Sequence, residues 1–182
     1  VHANPRTGPT TGFRRWPGMI RRYGEPVKPG QRYRRRPGVY AVLLRGDSIL
    51  ATFQQAPVPE FQLPGGGIDR GEHPVAALHR EVIEETGWKI GITRRIGAFR
   101  RFTYMPEYDL WAEKLCTVYL ARPVLRLGPP TEPGHSAVWL PVEEALLRLG
   151  NAGDRAMLAL LLRQQTSAIN RVTLNARSAM LP

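Results

Sequence analysis

The stretch from Gly66 to Trp88 constrains the fold of this chain more than any other part of the sequence. It reads GGIDRGEHPVAALHREVIEETGW and passes from a glycine loop into a helical pattern. Pro74 suits the first turn of a helix, where the N–H that it lacks would have no partner in any case. Gly87 suits the left-handed conformation that ends many helices. The stretch therefore predicts a loop followed by a helix that stops at Thr86.

Three glutamates lie on one face of that predicted helix. Glu81, Glu84 and Glu85 are spaced i, i+3 and i+4, so their carboxylates converge and would repel one another in isolation. A hard divalent cation removes this repulsion, because Mg²⁺ prefers carboxylate oxygens, waters and substrate phosphates. A solvated acidic face is the alternative interpretation. The glycine loop and the residues at fixed offsets around the glutamates favour a metal site.

The stretch as a whole resembles the Nudix box, G-x5-E-x7-R-E-U-x-E-E-x-G-U, in which U is a bulky apolar residue. No position within the box departs from this pattern. The resemblance implies an α/β fold, namely a Nudix-type α/β/α sandwich with a mixed β-sheet, over residues 37–170. The matching residues are Gly66, Glu72, Arg80, Glu81, Val82, Glu84, Glu85, Gly87 and Trp88.

The resemblance also implies a chemistry, which is hydrolysis of a nucleoside diphosphate linked to another group X. Glu81, Glu84, Glu85 and the Gly66 carbonyl are then expected to hold Mg²⁺ or Mn²⁺. Such an ion neutralises phosphate charge and lowers the pKa of water. This expectation makes the protein a Mg²⁺-dependent pyrophosphohydrolase.

Four box residues are expected to have catalytic roles by the same resemblance. Glu84 or Glu81 is the better candidate for the general base, and Glu132, on a later loop, is a weaker one. Arg80 is expected to orient the carboxylates together with Glu72.

The basic residues are concentrated at the start of the chain. Residues 1–37 carry ten of the 26 lysines and arginines, against the single acid Glu25. Because this segment is also rich in proline and glycine, residues 1–36 are predicted to be a basic extension whose first 25 residues pack poorly. Two interpretations of Arg32–Arg36 stay open: these residues belong to a solvated tail, or they form a surface that attracts polyphosphate or RNA. Residues 171–182 are predicted to be a C-terminal tail.

The remaining pattern predicts a mixed sheet with the box helix on one side and C-terminal helices on the other. Pro37 and Gly38 are expected to end a first strand, and residues 123–133 to be irregular. Arg100 and Tyr104 are predicted to share one strand face. The predicted strands are 39–44, 48–53, 88–93, 94–104, 110–121 and 137–140, and the predicted helices are 142–149 and one capped by Asp154 that runs to about Ile169.

Only the family resemblance limits the range of candidate substrates. Family members that cleave diadenosine polyphosphates carry a tyrosine some way after the box, and Tyr104 lies sixteen residues after Trp88. It is expected to stack on a base, with packing in the core as the alternative, while Arg36 and Arg100 supply cations to a phosphate chain. A dinucleoside polyphosphate is the resulting hypothesis. Hydrolysis of (d)NTP, ADP-ribose or 5′-triphosphate RNA ends, and a non-catalytic nucleotide-binding module, are the alternatives.

The composition bears on membrane association and on the cellular location of the protein. No run of about 18 apolar residues is present, so no membrane span is predicted. The single cysteine, Cys116, lies in an apolar run and is predicted to be a buried strand residue. A cytoplasmic location is expected, and a transit peptide and a homodimer are left open.

Overall fold

The computed structural model describes residues 20–178, and within them eight strands form one sheet with three helices against it. A short 3-10 helix spans Pro106–Tyr108. The strands are β1 (Arg21–Gly24), β2 (Arg34–Arg45), β3 (Ser48–Gln54), β4 (Glu60–Gln62), β5 (Gly65–Gly67), β6 (Trp88–Met105), β7 (Leu110–Arg126) and β8 (His135–Pro141), and the helices are α1 (Pro74–Thr86), α2 (Val142–Arg148) and α3 (Ala152–Ser178).

The sheet is mixed, as predicted. Its main path runs β1-β6-β7-β2-β3-β4, with β5 paired to β2 and β8 paired to β3. The β1–β6 and β2–β7 pairs are parallel, and the other pairs are antiparallel. The parallel β2–β7 pair joins distant parts of the chain, so the start of β2 lies beside the start of β7.

Side chains of β2 alternate between two cores, one on each face of the sheet. Val39 and Ala41 pack with Leu78 and Val82 of α1. Tyr40, Val42 and their neighbours on the other face pack with α2 and α3, whose buried residues include Ala145, Leu158 and Leu161. This arrangement confirms the α/β/α sandwich and the placement of the box helix opposite the C-terminal helices.

The structure corrects the prediction for the start of the chain. Within the segment predicted to pack poorly, β1 joins the sheet beside β6, and the Tyr23 ring lies edge-on to Phe99 at 5.7 Å between centroids. Burial of this aromatic pair offsets the entropy of ordering the strand. Residues 1–19 lie outside the described part of the chain. The domain boundaries at residues 36 and 170 remain predictions.

Pro37 and Gly38 do not end a strand, because β2 runs through them without interruption. β5 (Gly65–Gly67), the glycine strand, pairs with β2 at this point, and the Pro37 carbonyl accepts a further hydrogen bond from the Ile68 N–H at 3.1 Å. β7 extends to Arg126, so the first four residues of the segment 123–133, which is predicted to be irregular, belong to a strand. Pairing with β6 maintains this extension.

Helix α3 differs from its prediction at both ends. It begins at Ala152, where the Asn151 side chain accepts a hydrogen bond from the Gly153 N–H at 2.9 Å. Asn151 therefore occupies the capping role predicted for Asp154, whose side chain is buried instead. The helix continues past Ile169 to Ser178. No helix within residues 20–178 is long and apolar enough to span a membrane.

Candidate active site

Local interactions fix both ends of α1, which carries the box glutamates. At its start, His73 Nδ1 accepts a hydrogen bond from the Val75 N–H at 3.2 Å. At its end, Gly87 has a φ of 74°, and its N–H donates to the Ile83 carbonyl at 2.8 Å. The sequence prediction for this helix, including its proline start and glycine stop, is confirmed.

Arg80 is the centre of the hydrogen-bond network on the exposed side of α1. Its Nε and Nη2 donate to the two Glu72 oxygens at 3.0 and 2.8 Å, which is a bidentate pair. Its Nη1 donates to Glu81 at 2.8 Å and to Glu84 at 3.2 Å. Its Nη2 also donates to the Gly67 carbonyl at 3.1 Å. One guanidinium thus ties the loop before the helix to two of the box carboxylates.

The same contacts shift the ionisation of this network. The hydrogen bonds from Arg80, with a further one from the Asp69 N–H, lower the pKa of Glu72 to about 2. In return, the carboxylates raise the pKa of Arg80, with Glu72 as the largest contributor. Glu72 is therefore a permanent anion at neutral pH, and it holds the Arg80 fork in place.

Glu81 lies against the glycine strand. A Cβ atom built on Gly66 would come within 2.3 Å of the Glu81 Oε2 atom, so only glycine leaves room for this carboxylate. Burial raises the pKa of Glu81, although the Arg80 hydrogen bond opposes the shift. The Gly66 backbone and the Glu81 carboxylate are thus held next to each other.

Glu85 is the most buried of the three box glutamates, at 5% exposure. Its Oε2 accepts a hydrogen bond from the Gly65 N–H at 2.9 Å, and its Oε1 lies 3.6 Å from His135 Nε2. Burial raises the pKa of Glu85 well above its usual range, while the Gly65 N–H opposes the shift. Glu85 therefore connects α1 both to the glycine strand and to the start of β8.

A later loop brings a fourth carboxylate to the helix. The Thr131 and Glu132 N–H groups both donate to the Glu84 carbonyl, at 2.8 and 3.0 Å. This anchoring places ligand atoms of Glu81, Glu84 and Glu132 within 4.8 Å of one another. Ligand atoms of Glu85, Glu132 and His135 form a second such group. Three carboxylates at this separation fit a hard divalent cation that takes oxygen ligands.

The structure brings the sequence-predicted box residues together but divides the predicted metal ligands. Glu81 and Glu84 share one group with Glu132, whereas Glu85 belongs to the other, and Gly66 lies beside Glu81. Sequence reasoning gave Glu132 only a minor role and none to His135. No local spacing connects these two residues with the box, because they reach it through the β7–β8 loop.

A cavity of about 340 Å³ is lined by residues of β3, β4, β6 and β7 and of the loops that join them. Gln62 of its wall precedes Gly65 by three residues, and Gln54 pairs in register with His135. The side chains that define its character are Gln54, Glu60, Gln62, Arg101, Tyr104 and Lys114. Because these side chains are polar or charged, the cavity suits a ligand with both hydrogen-bonding groups and charge.

The three residues predicted to bind substrate occupy different surroundings. Tyr104 lines the cavity, is 40% exposed, and donates a hydrogen bond from its hydroxyl to Asp109. The Arg100 Nε lies 3.4 Å from Glu113, on the opposite strand face from Arg101. The Arg36 guanidinium stacks on the Tyr108 ring at 4.6 Å. Their contact with substrate stays a prediction.

The fold and the box together define the class of this protein. The family model of the NUDIX domain matches residues 34–161, which is more than half of the chain. The chain therefore belongs to the NUDIX family. Members of this family generally use divalent metal ions, and the cluster of Glu81, Glu84 and Glu132 could hold such an ion.

Curated relatives share parts of this domain. An RNA pyrophosphohydrolase of Cereibacter sphaeroides is 46% identical over 54 residues, which cover 29% of this chain and 33% of that protein. An 8-oxo-(d)GTP phosphatase of Mycolicibacterium smegmatis is 33% identical over 100 residues, which cover 54% of this chain and 29% of that protein. This chain spans less than two thirds of the curated relatives that it matches first, with half of a Bacillus subtilis relative covered.

Solved structures confirm the fold. A NUDIX hydrolase from Nitrosomonas europaea superposes with a TM-score of 0.61 at 18% identity, over 72% of this chain and 90% of that one. At this level of identity the likeness supports the architecture and carries no information on substrate.

Proposed function

We propose that the protein is a divalent-metal-dependent hydrolase of a phosphoric anhydride bond in a nucleotide substrate. The observation that carries this proposal is the convergence of ligand atoms of Glu81, Glu84 and Glu132 within 4.8 Å. Repulsion within such a group is relieved by a cation with oxygen ligands, and phosphates complete the coordination of such a cation. Glu81, Glu84 and Glu132 would hold the ion, with Glu85 and the Gly66 carbonyl as further candidate ligands.

A divalent cation held by these carboxylates would supply charge neutralisation at the phosphoryl oxygens and a lower pKa for the attacking water. Glu84 is the strongest candidate for the general base, because its side chain is the most exposed of the three box glutamates. Its Oε2 accepts from Arg80, and Oε1 has no hydrogen bond to any group between residues 20 and 178 that the structure describes. Water would lose a proton to Glu84 Oε1 as its oxygen bonds to one phosphorus, and the bond from that phosphorus to the bridging oxygen would break, so that the bridging oxygen leaves with the other phosphate. Arg80 and Glu72 keep the Glu84 and Glu81 side chains in position.

A dinucleoside polyphosphate is the substrate that best uses the whole surface. The cavity takes one nucleoside, Tyr104 offers a ring to a base, and Arg36 offers a cation to a long phosphate chain. Arg100 pairs with Glu113 on the opposite strand face from Arg101, so its contact with substrate stays a prediction. Hydrolysis of (d)NTP, ADP-ribose or 5′-triphosphate RNA ends, and binding without hydrolysis, are the competing functions. A cytoplasmic location accords with this role and stays a prediction.

The RNA-end alternative has one specific observation in its favour. The Lys28 Nζ lies 3.9 Å from the Trp111 ring centroid, and the Tyr33 and Tyr104 rings pack against the same indole. Aromatic rings beside cations suit single-stranded nucleic acid. The RNA pyrophosphohydrolase relative agrees with this alternative.

The test is a substrate panel with purified full-length protein and Mg²⁺, in which chromatography identifies the products. Diadenosine tetraphosphate, dGTP, ADP-ribose and a 5′-triphosphate RNA oligonucleotide are compared by kcat/KM. We expect metal-dependent turnover, with diadenosine tetraphosphate preferred to ADP-ribose by about tenfold or more. Absence of turnover with every substrate, together with nucleotide binding, would identify the binding module instead.

A further inference from the structure

Two cations of the cavity come from neighbouring strands and share one sheet face. Arg101 of β6 and Lys114 of β7 are register partners, and both line the cavity. The preceding residue, Arg100, points to the opposite face and pairs there with Glu113. Adjacent arginines on one strand thus have different environments, because alternation sends only Arg101 into the cavity.

Neither cavity cation has an anionic partner in the described part of the chain. Lys114 and Arg101 form no ion pair with any described carboxylate between residues 20 and 178, unlike Arg80 and Arg100. Lys114 is partly buried, with its Nζ 5.7 Å from the Tyr40 ring centroid. Interaction with Tyr40 raises the pKa of Lys114 despite this burial, so the ammonium group stays charged at neutral pH. A half-buried cation without a counter-ion is unfavourable unless an anion joins it.

The carboxylates around the cavity do not fill this role. Glu60 accepts a hydrogen bond from the Gln62 amide at 2.7 Å, and Glu25 is exposed. Asp154 is buried near Arg101 and Lys114, and its Oδ2 accepts from the Leu63 N–H at 3.3 Å. Burial raises the pKa of Asp154 to about 7, so its negative charge is incomplete at neutral pH.

The cation pair, Arg101 and Lys114, lies across the glycine strand from the carboxylate cluster of Glu81, Glu84 and Glu132. Tyr40, against which Lys114 lies, pairs in register with Gly65, and the Gly65 N–H donates to Glu85. The proposed site of bond cleavage and the cation pair therefore border the same short strand. A phosphate chain that begins at the carboxylate cluster can therefore meet the positive charges of Arg101 and Lys114 on the other side of Gly65.

We propose that Lys114 and Arg101 form a subsite for a substrate phosphate other than the two joined by the cleaved bond. This proposal rests on the hydrolase function given above and narrows its substrates to those with three or more phosphates. Arg101 provides a planar guanidinium that accommodates two phosphate oxygens, and Lys114 provides a point charge beside it. A substrate with only two phosphates, such as ADP-ribose, leaves the subsite empty.

The first test measures kinetics for Lys114→Met and Arg101→Gln with diadenosine tetraphosphate and with ADP-ribose. Each variant is expected to raise KM for the tetraphosphate by about tenfold while kcat changes less, since the lost contact is made equally in ground and transition states. The preference for the tetraphosphate over ADP-ribose should fall accordingly. Lys89→Gln and Arg95→Gln, exposed cations elsewhere on β6, serve as controls and should leave both constants unchanged.

The second test does not depend on turnover. Calorimetric titration of inorganic tripolyphosphate into metal-free protein, in the presence of chelator, measures the cation pair alone. Wild type, Lys114→Arg and Glu84→Gln should bind, whereas Lys114→Met and Arg101→Gln should bind at least about tenfold more weakly. Circular dichroism checks that each variant is folded.

The outcomes separate the two proposals. Tripolyphosphate binding that depends on Lys114 and Arg101, in a protein that hydrolyses nothing, would leave the subsite in place and overturn the hydrolase function. Equal tripolyphosphate binding by wild type, Lys114→Met and Arg101→Gln would overturn the subsite, whatever the enzyme cleaves. If Lys114→Met does not fold, the comparison of Arg101→Gln with Arg95→Gln decides the question.

Discussion

The carboxylate cluster at α1, which consists of Glu81, Glu84 and Glu132, and the cavity that contains Arg101 and Lys114 differ in how their charges are satisfied. On α1, one guanidinium from Arg80 contacts Glu72, Glu81 and Glu84, so anions outnumber the cation and a further cation fits. In the cavity, Lys114 and Arg101 stay without ion pairs among the described residues, so an anion fits. The two regions together have the complementary charges that a metal-bound polyphosphate requires.

Each region therefore has its own electrostatic role. Loss of a box carboxylate should act on the chemical step, because charge develops there in the transition state. Loss of a cavity contact should act on substrate binding. Variants of the two regions should therefore differ in whether kcat or KM changes.

The largest effect is expected for the box carboxylates. Glu84→Gln and Glu85→Gln should each lower kcat by about 10²- to 10³-fold, because they remove charge that acts on the transition state. Steady-state kinetics and circular dichroism measure turnover and folding. Glu143→Gln, an exposed glutamate at the start of α2, is the matched control. Near-normal turnover in both box variants would remove the metal site from the mechanism.

A second effect is expected on the free energy of unfolding, at the buried carboxyl group of Asp154. Asp154 has a folded-state pKa of about 7 against an ordinary value of 3.8, so the folded protein binds the proton more tightly than the unfolded chain does. Its contribution to stability is therefore fully present below about pH 4 and is lost as pH rises to about 7. The loss is on the order of 4 kcal/mol, since the shift from 3.8 to about 7 corresponds to about 1.4 kcal/mol per pKa unit.

Urea unfolding of wild type and Asp154→Asn between pH 4.5 and 7.5 measures this loss, because the asparagine does not titrate. The wild-type free energy of unfolding should fall relative to that of the variant over this range. Asp47→Asn, in the exposed β2–β3 turn, is the control and should follow the wild-type profile. Parallel profiles for wild type and Asp154→Asn would show that burial does not shift this carboxyl.

A smaller effect on stability is expected at the first strand. Deletion of residues 1–25 removes β1 and the Tyr23 ring that packs on Phe99, at a cost of about 2 kcal/mol. Deletion of residues 1–19 leaves β1 in place. The difference in thermal midpoint between the two truncations isolates the strand, and identical midpoints would contradict its packing role.

The smallest effect is expected at Tyr104. Stacking on a base is worth roughly 1–3 kcal/mol in comparable nucleic-acid sites, so Tyr104→Ala should raise KM about tenfold. It should change kcat less, because a remote base is bound equally in both states. Tyr104→Phe, which removes the Asp109 hydrogen bond but keeps the ring, should retain most of the affinity. A variant that is fully active or that unfolds would remove Tyr104 from the binding surface.

The sequence alone determined the box, its helix and the class of fold. Glu81, Glu84 and Glu85 share a face because helical spacing is local, and the limits of α1 follow from Pro74 and Gly87. The burial of β2 likewise follows from the continuous apolar run of residues 39–44. Such features need only neighbouring residues, so the sequence contains them directly.

Tertiary structure alone decided which distant residues complete the site. Glu132 and His135 reach the box only because β8 pairs with β3 and the preceding loop bonds to the end of α1. Arg101 and Lys114 meet only through the register of β6 with β7. Since pairing register depends on the whole sheet, no spacing along the chain reveals these contacts.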